Sequence, residues 1–327
     1  MKNVRALALL VLAALALAGC AGAEPEKRSV VGFYLDTVIT LTAYVEDDGV
    51  LRDALEECGR YEALLSRTVE GSDVWRLNHA GGEPVKVSAD TLALIDIARQ
   101  VSDLSGGAFD ITIAPASTLW DFTSGAKRLP DAAALEAAAA RIDYRKIKVE
   151  GEYVTLPEGM MIDLGGIAKG YIADAVKAYL AGRGVTSALL SFGGNIVAIG
   201  VKPDGSPWKV GIQDIDRPTG EYMQVSLNFG GSTVTSGIYE RGFVLDGAYY
   251  HHILNPRTGW PVENELASVT IFSESSAWGD ALSTAAFALG TDKGTEMIEG
   301  IGGVEALFIA KDRSMTATSG AGEYLEQ

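Results

Sequence analysis

Cysteine and histidine are scarce in this chain. Only Cys20 and Cys58 occur among 327 residues, so a disulfide framework and a cysteine-rich zinc site are excluded. The three histidines are His79, His251 and His252, too few for a histidine-rich metal centre. Any metal would be a hard cation held by oxygen. Positive charge is also in short supply, with 27 Lys and Arg against 43 Asp and Glu. That balance argues against nucleic acid as a partner and against electrostatic docking on anionic lipid. The common nucleotide loops are missing as well: neither G-x-x-x-x-G-K-[ST] nor G-x-G-x-x-G occurs at the chain's main glycine junction.

A long apolar run occurs at the N-terminus. Lys2 and Arg5 precede Ala6–Ala18, which ends in Leu17-Ala18-Gly19-Cys20. The run is too short for a comfortable permanent span. A basic start, an apolar run and a small-residue site closing on cysteine form a bacterial lipoprotein signal. Residues 1–19 read as the signal peptide, Cys20 as the lipidated residue and 20–29 as a tether. The protein is then expected in the cell envelope, lipid-anchored on the extracytoplasmic side. Cleavage removes Lys2 and Arg5 and no acid, which moves the net charge from −16 to −18.

The rest, 30–327, reads as one domain of mixed strands and helices. Val30–Tyr44 alternates as a strand, and Gly49–Leu65 carries helical apolar spacing. Ser88 reads as the N-cap of a helix over Thr91–Leu104. Met160–Leu164 reads as a strand, Ala168–Leu180 as a helix, and Ser187–Ile199 as a strand broken at Gly193-Gly194. No strict βαβ alternation is present, so α+β is favoured over a doubly wound sheet.

Four stretches carry chemistry. Asp163-Leu-Gly-Gly-Ile-Ala-Lys-Gly170 joins a strand to a helix start, where backbone N–H groups can hold an anion. Its glycines alone would serve tight packing. Asp163, a carboxylate at the end of a core strand, needs a partner, and Lys169 could be that partner or could meet a phosphate. Asp280 and Thr284 share one helical face and could offer oxygen to Mg²⁺, but spacing alone favours an Asp280 that serves the helix N-terminus and an ordinary Thr284. His252 stands before the Asn255-Pro-Arg-Thr-Gly259 turn as a base or a structural histidine. Ser105-Gly-Gly-Ala-Phe-Asp110 permits close backbone approach to a flat ligand or marks a helix stop.

In order and character these stretches resemble the ApbE family of flavin transferases, from about Val30 to Ala310. Ser191-Phe-Gly-Gly-Asn195 and Leu77-Asn78 add to the match. The resemblance implies an α+β fold of mixed sheets and packed helices, with a flavin site between lobes. It implies FAD contacts at Leu35, Asn78, Ala108, Phe109, Asp110, Asp163, Lys169, His252 and Leu254. It implies Mg²⁺ held by the side chains of Asp280 and Thr284 and the carbonyls of Gly166 and Ser283, with His252 and Asp280 catalytic. Two positions depart from the family. Leu35-Asp36-Thr37 stands where Met-Gly-Thr is common, and Thr68 stands near a place where many members put an aromatic on the flavin. Tyr239 is then a candidate for stacking.

The implied activity is Mg²⁺-dependent transfer of FMN from FAD to a Ser or Thr of an exported target flavoprotein, with release of AMP. Two alternatives use the same residues. A Mg²⁺-dependent FAD pyrophosphatase would use water as acceptor, and a flavin-binding lipoprotein would hold the ligand without turnover.

Overall fold

The computed structural model describes residues 25–122, 124–216 and 220–327. The expected signal peptide, Cys20 and the first part of the tether lie outside the described residues. Every strand pairing among the described residues is antiparallel. The fold is therefore α+β, as the lack of βαβ alternation implies.

An eight-stranded sheet forms the frame. In spatial order its strands are Glu26–Tyr34, Thr37–Val45, Ala188–Phe192, Asn195–Ile199, Ser232–Gly237, Leu266–Ser273, Glu305–Ala310 and Met315–Ala317. The helices Gly49–Leu65, Ala168–Ala181 and Ser276–Leu289 belong to its main core, through Leu51, Ile172, Val176, Ala281 and Phe287. The hairpin Trp208–Gln213 and Tyr222–Asn228 belongs to a second core, where Ile212 meets Phe272, Leu307 and Ile309. A smaller apolar cluster of Trp120, Leu135, Phe243 and Leu254 builds a separate lobe around the hairpin Gly242–Leu245 and Ala248–His251.

The first expected strand is two strands. Glu26–Tyr34 and Thr37–Val45 form a hairpin in which Tyr34 faces Thr37. The alternation runs through both arms, so it hides the turn. Leu35 and Asp36 make that turn at φ 56° each, the left-handed region that glycine and asparagine usually supply. The Glu62 carboxylate accepts the Leu35 N–H at 2.7 Å and fixes it. The tether is shorter than expected, because Glu26–Ser29 pair with Thr42–Val45.

One expected strand is absent from the sheet, and two of its strands carry no period-two signal. Met160–Leu164 joins no sheet. The Asn78 side-chain amide replaces a neighbouring strand there, donating to Ile162 O at 2.9 Å and accepting from Ile162 N at 2.7 Å. Conversely, the serine- and glycine-rich stretch after Phe229 contains a central strand, Ser232–Gly237, and Leu266–Ser273 is buried at every residue. A strand covered on both faces loses the period-two pattern by which strands are read. The Ser88 cap is present, its hydroxyl accepting from Thr91 N at 3.1 Å.

Candidate active site

The site forms where Ala168–Ala181 crosses Ser276–Leu289. The crossing is close because Gly170 has no side chain: a Cβ there would lie 2.1 Å from Ser276 O. Asp174, one turn later, spans the crossing. Its carboxylate accepts from Ser275 Oγ at 2.8 Å, Ser276 N at 2.9 Å and Ala277 N at 3.0 Å, capping the second helix.

This crossing places Asp280 against the glycine junction. Its Oδ2 accepts the Gly170 N–H at 3.0 Å, and its Oδ1 lies 3.5 Å from Lys169 Nζ. Lys169 Nζ also donates to Gly165 O at 3.1 Å. The anion facing this helix start is therefore the protein's own Asp280. Of the roles open to Lys169, partnering Asp163 is not the one these contacts show. Asp163 pairs with Arg67 instead, Nε to Oδ2 at 3.1 Å, and also accepts from Gly165 N at 2.9 Å and Ser117 Oγ at 3.3 Å.

Oxygen donors gather around Asp280. The Ser283 hydroxyl donates to Asp280 O at 2.9 Å, and Ser236 from the central strand reaches Ser283 Oγ at 2.8 Å and Thr284 Oγ1 at 3.2 Å. Gly166 closes the group: a Cβ there would lie 3.2 Å from the Phe109 ring and 3.8 Å from Thr284 Oγ1. Among the described residues no cluster of three or more His, Cys, Asp or Glu side chains could hold a metal. The donors present are one carboxylate, hydroxyls and carbonyls. That set fits Mg²⁺, which is commonly held by one or two carboxylates plus substrate phosphates.

His252 comes from the other lobe. Its Nδ1 lies 3.1 Å from Arg241 O, a bond that places the proton on Nδ1 and leaves Nε2 as the acceptor. Burial pushes its pKa down to about 4, with smaller contributions from Arg241, His251 and Lys169. The ring is neutral near neutral pH. Arg241 also donates to Asp36 O at 3.5 Å, so the Leu35-Asp36 turn and His252 are tied to one residue.

The other expected contacts fall into two groups. Ala108, Phe109 and Leu254 stand near the junction of the lobes, beside a pocket of about 200 Å³ lined by Gly107, Ala108, Asn255 and Ala288. Ala288 follows Thr284 by four residues and shares its helical face. Asp110 and Asn78, by contrast, have their side chains committed to the protein. Asp110 accepts from Thr112 N, Thr112 Oγ1 and Tyr144 N at 2.8, 2.7 and 2.9 Å, and burial raises its pKa. Tyr239 is not brought to the site. Its ring packs over Gly237 and its hydroxyl reaches towards Ser268, on the sheet face opposite Ser236.

The ApbE family model matches residues 35–308. The chain belongs to the ApbE family. A FAD:protein FMN transferase of Klebsiella pneumoniae is 36% identical over 288 residues, covering 86% of this chain and 88% of the relative. A FAD:protein FMN transferase of Treponema pallidum is 34% identical, covering 95% and 92%. Among solved structures, the ApbE protein of Thermotoga maritima superposes with a TM-score of 0.84 at 30% identity, covering 92% of this chain and 100% of that one. The flavin transferase ApbE of Vibrio cholerae gives 0.82 at 26% identity, with the same coverage. Arg67, Ser117, Asp174 and Ser236 join or support this group of residues without any motif marking them. Each lies far in sequence from the group it touches, and no local spacing could have found them.

Proposed function

We propose that this ApbE-family chain transfers FMN from FAD to a Ser or Thr hydroxyl of an exported flavoprotein and releases AMP. The acceptor oxygen forms a bond to the FMN phosphorus while the bond from that phosphorus to the AMP oxygen breaks. The hydroxyl proton passes to a base, and AMP leaves with the electron pair of the broken bond. The observation that carries this reading is the neutral His252, with Nε2 free to accept a proton, in the electrostatic reach of Lys169 beside Asp280.

The residues divide the work. Lys169 offers a positive charge to the diphosphate, and the Gly170 N–H holds the Asp280 carboxylate in a fixed orientation. Asp280, Thr284, the Ser283 carbonyl and the Gly166 carbonyl would hold Mg²⁺. When bound, the ion supplies charge neutralisation to the phosphate oxygens. The flavin and adenosine ends lie along the junction of the lobes, among Leu35, Ala108, Phe109 and Leu254.

Incubation of the protein with FAD, Mg²⁺ and an exported flavoprotein tests the reading. An acceptor gaining the mass of one FMN less one water supports it. No covalent flavin with a competent acceptor sinks it, and free FMN and AMP without an acceptor point to a pyrophosphatase instead. The same reading places the protein on the extracytoplasmic side of a membrane through lipid on Cys20. Among the described residues no helix is long and apolar enough to cross a membrane. Palmitate labelling lost in Cys20→Ser tests the anchor.

A further inference from the structure

Two carboxylates, Asp163 and Asp280, stand at the site proposed for FAD, itself a dianion at its diphosphate. Left alone, they would repel that ligand. Lys169 faces Asp280 at 3.5 Å, and Arg67 faces Asp163 at 3.1 Å, so each acid has one cation. These four side chains are neutral as a set. A divalent cation and a diphosphate would add equal and opposite charge to them. Arg67 is thus one of four charges on which that balance depends, and it is the one that no motif or implied contact includes.

Its geometry suits a second task. The Asp163 carboxylate is fixed by the Gly165 N–H and the Ser117 hydroxyl, so it holds Arg67 in turn. The contact uses Nε, one edge of the guanidinium. The side chain is about a third exposed. A guanidinium presents five N–H donors in a planar fork that matches carboxylate and phosphate geometry, so an edge left beside the Asp163 contact suits a phosphate. We infer that Arg67 is a ligand-binding residue: it screens Asp163 and offers its Nη edge to the diphosphate of a bound dinucleotide.

The inference rests on the FAD reading of the site, and the test separates the two. Binding of FAD, ADP and riboflavin with Mg²⁺ is measured for the full-length protein, Arg67→Gln, Arg67→Lys and Arg67→Gln/Asp163→Asn. Arg67→Gln should weaken FAD and ADP by about tenfold, the scale of one charge-assisted hydrogen bond, and leave riboflavin unchanged. Arg67→Lys should recover part of the loss, since it keeps the charge and loses the fork. The double variant should bind ADP better than Arg67→Gln, because the uncompensated carboxylate is gone. Unchanged FAD and ADP binding in Arg67→Gln overturns the inference. So does an equal loss for riboflavin with a lowered melting temperature, which marks a structural role. If the unaltered protein binds no FAD, the functional reading itself falls.

Discussion

Lys169 Nζ and Asp280 Oδ1 face each other at 3.5 Å across a helix crossing, while Asp280 Oδ2 takes the Gly170 N–H at 3.0 Å. Lys169 and Gly170 are adjacent in sequence and hold one carboxylate between them. The motif Lys169-Gly170 is therefore half of a two-helix device. Its other half is the Asp280-Ala-Leu-Ser-Thr284 face. The lysine supplies charge, the glycine supplies both a donor and the closeness, and Asp174 sets where the second helix begins.

Gly170→Ala should break this device. The added Cβ would meet Ser276 O at 2.1 Å, a backbone atom that cannot rotate away. The helices must part, at a cost of about 1–3 kcal/mol for overpacking. Denaturant unfolding measures that loss. FMN transfer should fall further than stability does, because parting the helices also draws Asp280 away from Lys169. A variant of full stability and activity would show that the crossing does not set the site.

Asp280→Ala should abolish transfer while leaving a folded protein. The carboxylate is buried, and its loss leaves the Gly170 N–H without its partner, at about 1–3 kcal/mol. Turnover should drop by about 10²–10³-fold, the scale seen when one preorganised stabilising group is removed from a transition state. Transfer assays across a Mg²⁺ titration check this, with circular dichroism as the control for folding. Activity within a few-fold of the parent would remove Asp280 from the proposed metal set.

The two adjacent histidines predict a pH dependence. Burial holds both His251 and His252 down to about 4, against 6.5 for the free side chain. Between those values the unfolded chain binds protons that the folded chain excludes. Their contribution to stability is therefore complete above about 6.5 and is lost as pH falls towards about 4. Melting temperatures across that range should fall on acidification, and less steeply in His252→Gln. If His252 is the base, kcat/KM should stay level well below the ordinary histidine range and fall only near its depressed pKa. An acid limb centred on the ordinary histidine value would contradict the burial of this ring.

Local chemistry made the helices and the junction legible. Ser88 as a cap, the apolar spacing of Gly49–Leu65 and the Asp280–Thr284 face are encoded within a few residues each, and they stand where the spacing puts them. The hairpin turn was not legible, because Leu35 has no turn chemistry, no glycine or asparagine stands beside Asp36, and the alternation continues across both. Leu266–Ser273 was not legible because it is buried on both faces. In the site, Lys169 could be read as an acid's partner, but which acid it meets depends on a helix crossing more than a hundred residues away in sequence. Arg67 holds the place at Asp163 that Lys169 could have taken, and it was missed for the same reason: tertiary proximity has no local signature.

The hairpin turn offers a prediction of opposite sign. Leu35 and Asp36 both sit at φ 56°, and side chains pay for that region with steric strain that glycine escapes. The turn is held by Glu62 at the Leu35 N–H and by Arg241 at the Asp36 carbonyl, both contacts to backbone. Neither needs the Asp36 side chain. Asp36→Gly should therefore stabilise the protein by about 0.5–1 kcal/mol, with strain relief exceeding the added freedom of the unfolded chain. Since the Arg241 contact survives and Arg241 O holds His252, transfer activity should be unchanged. Chemical denaturation and the transfer assay together decide it. A loss of activity with a gain of stability would mean that the Asp36 carboxylate faces the ligand, and that this departure from the family's glycine serves binding and not the turn.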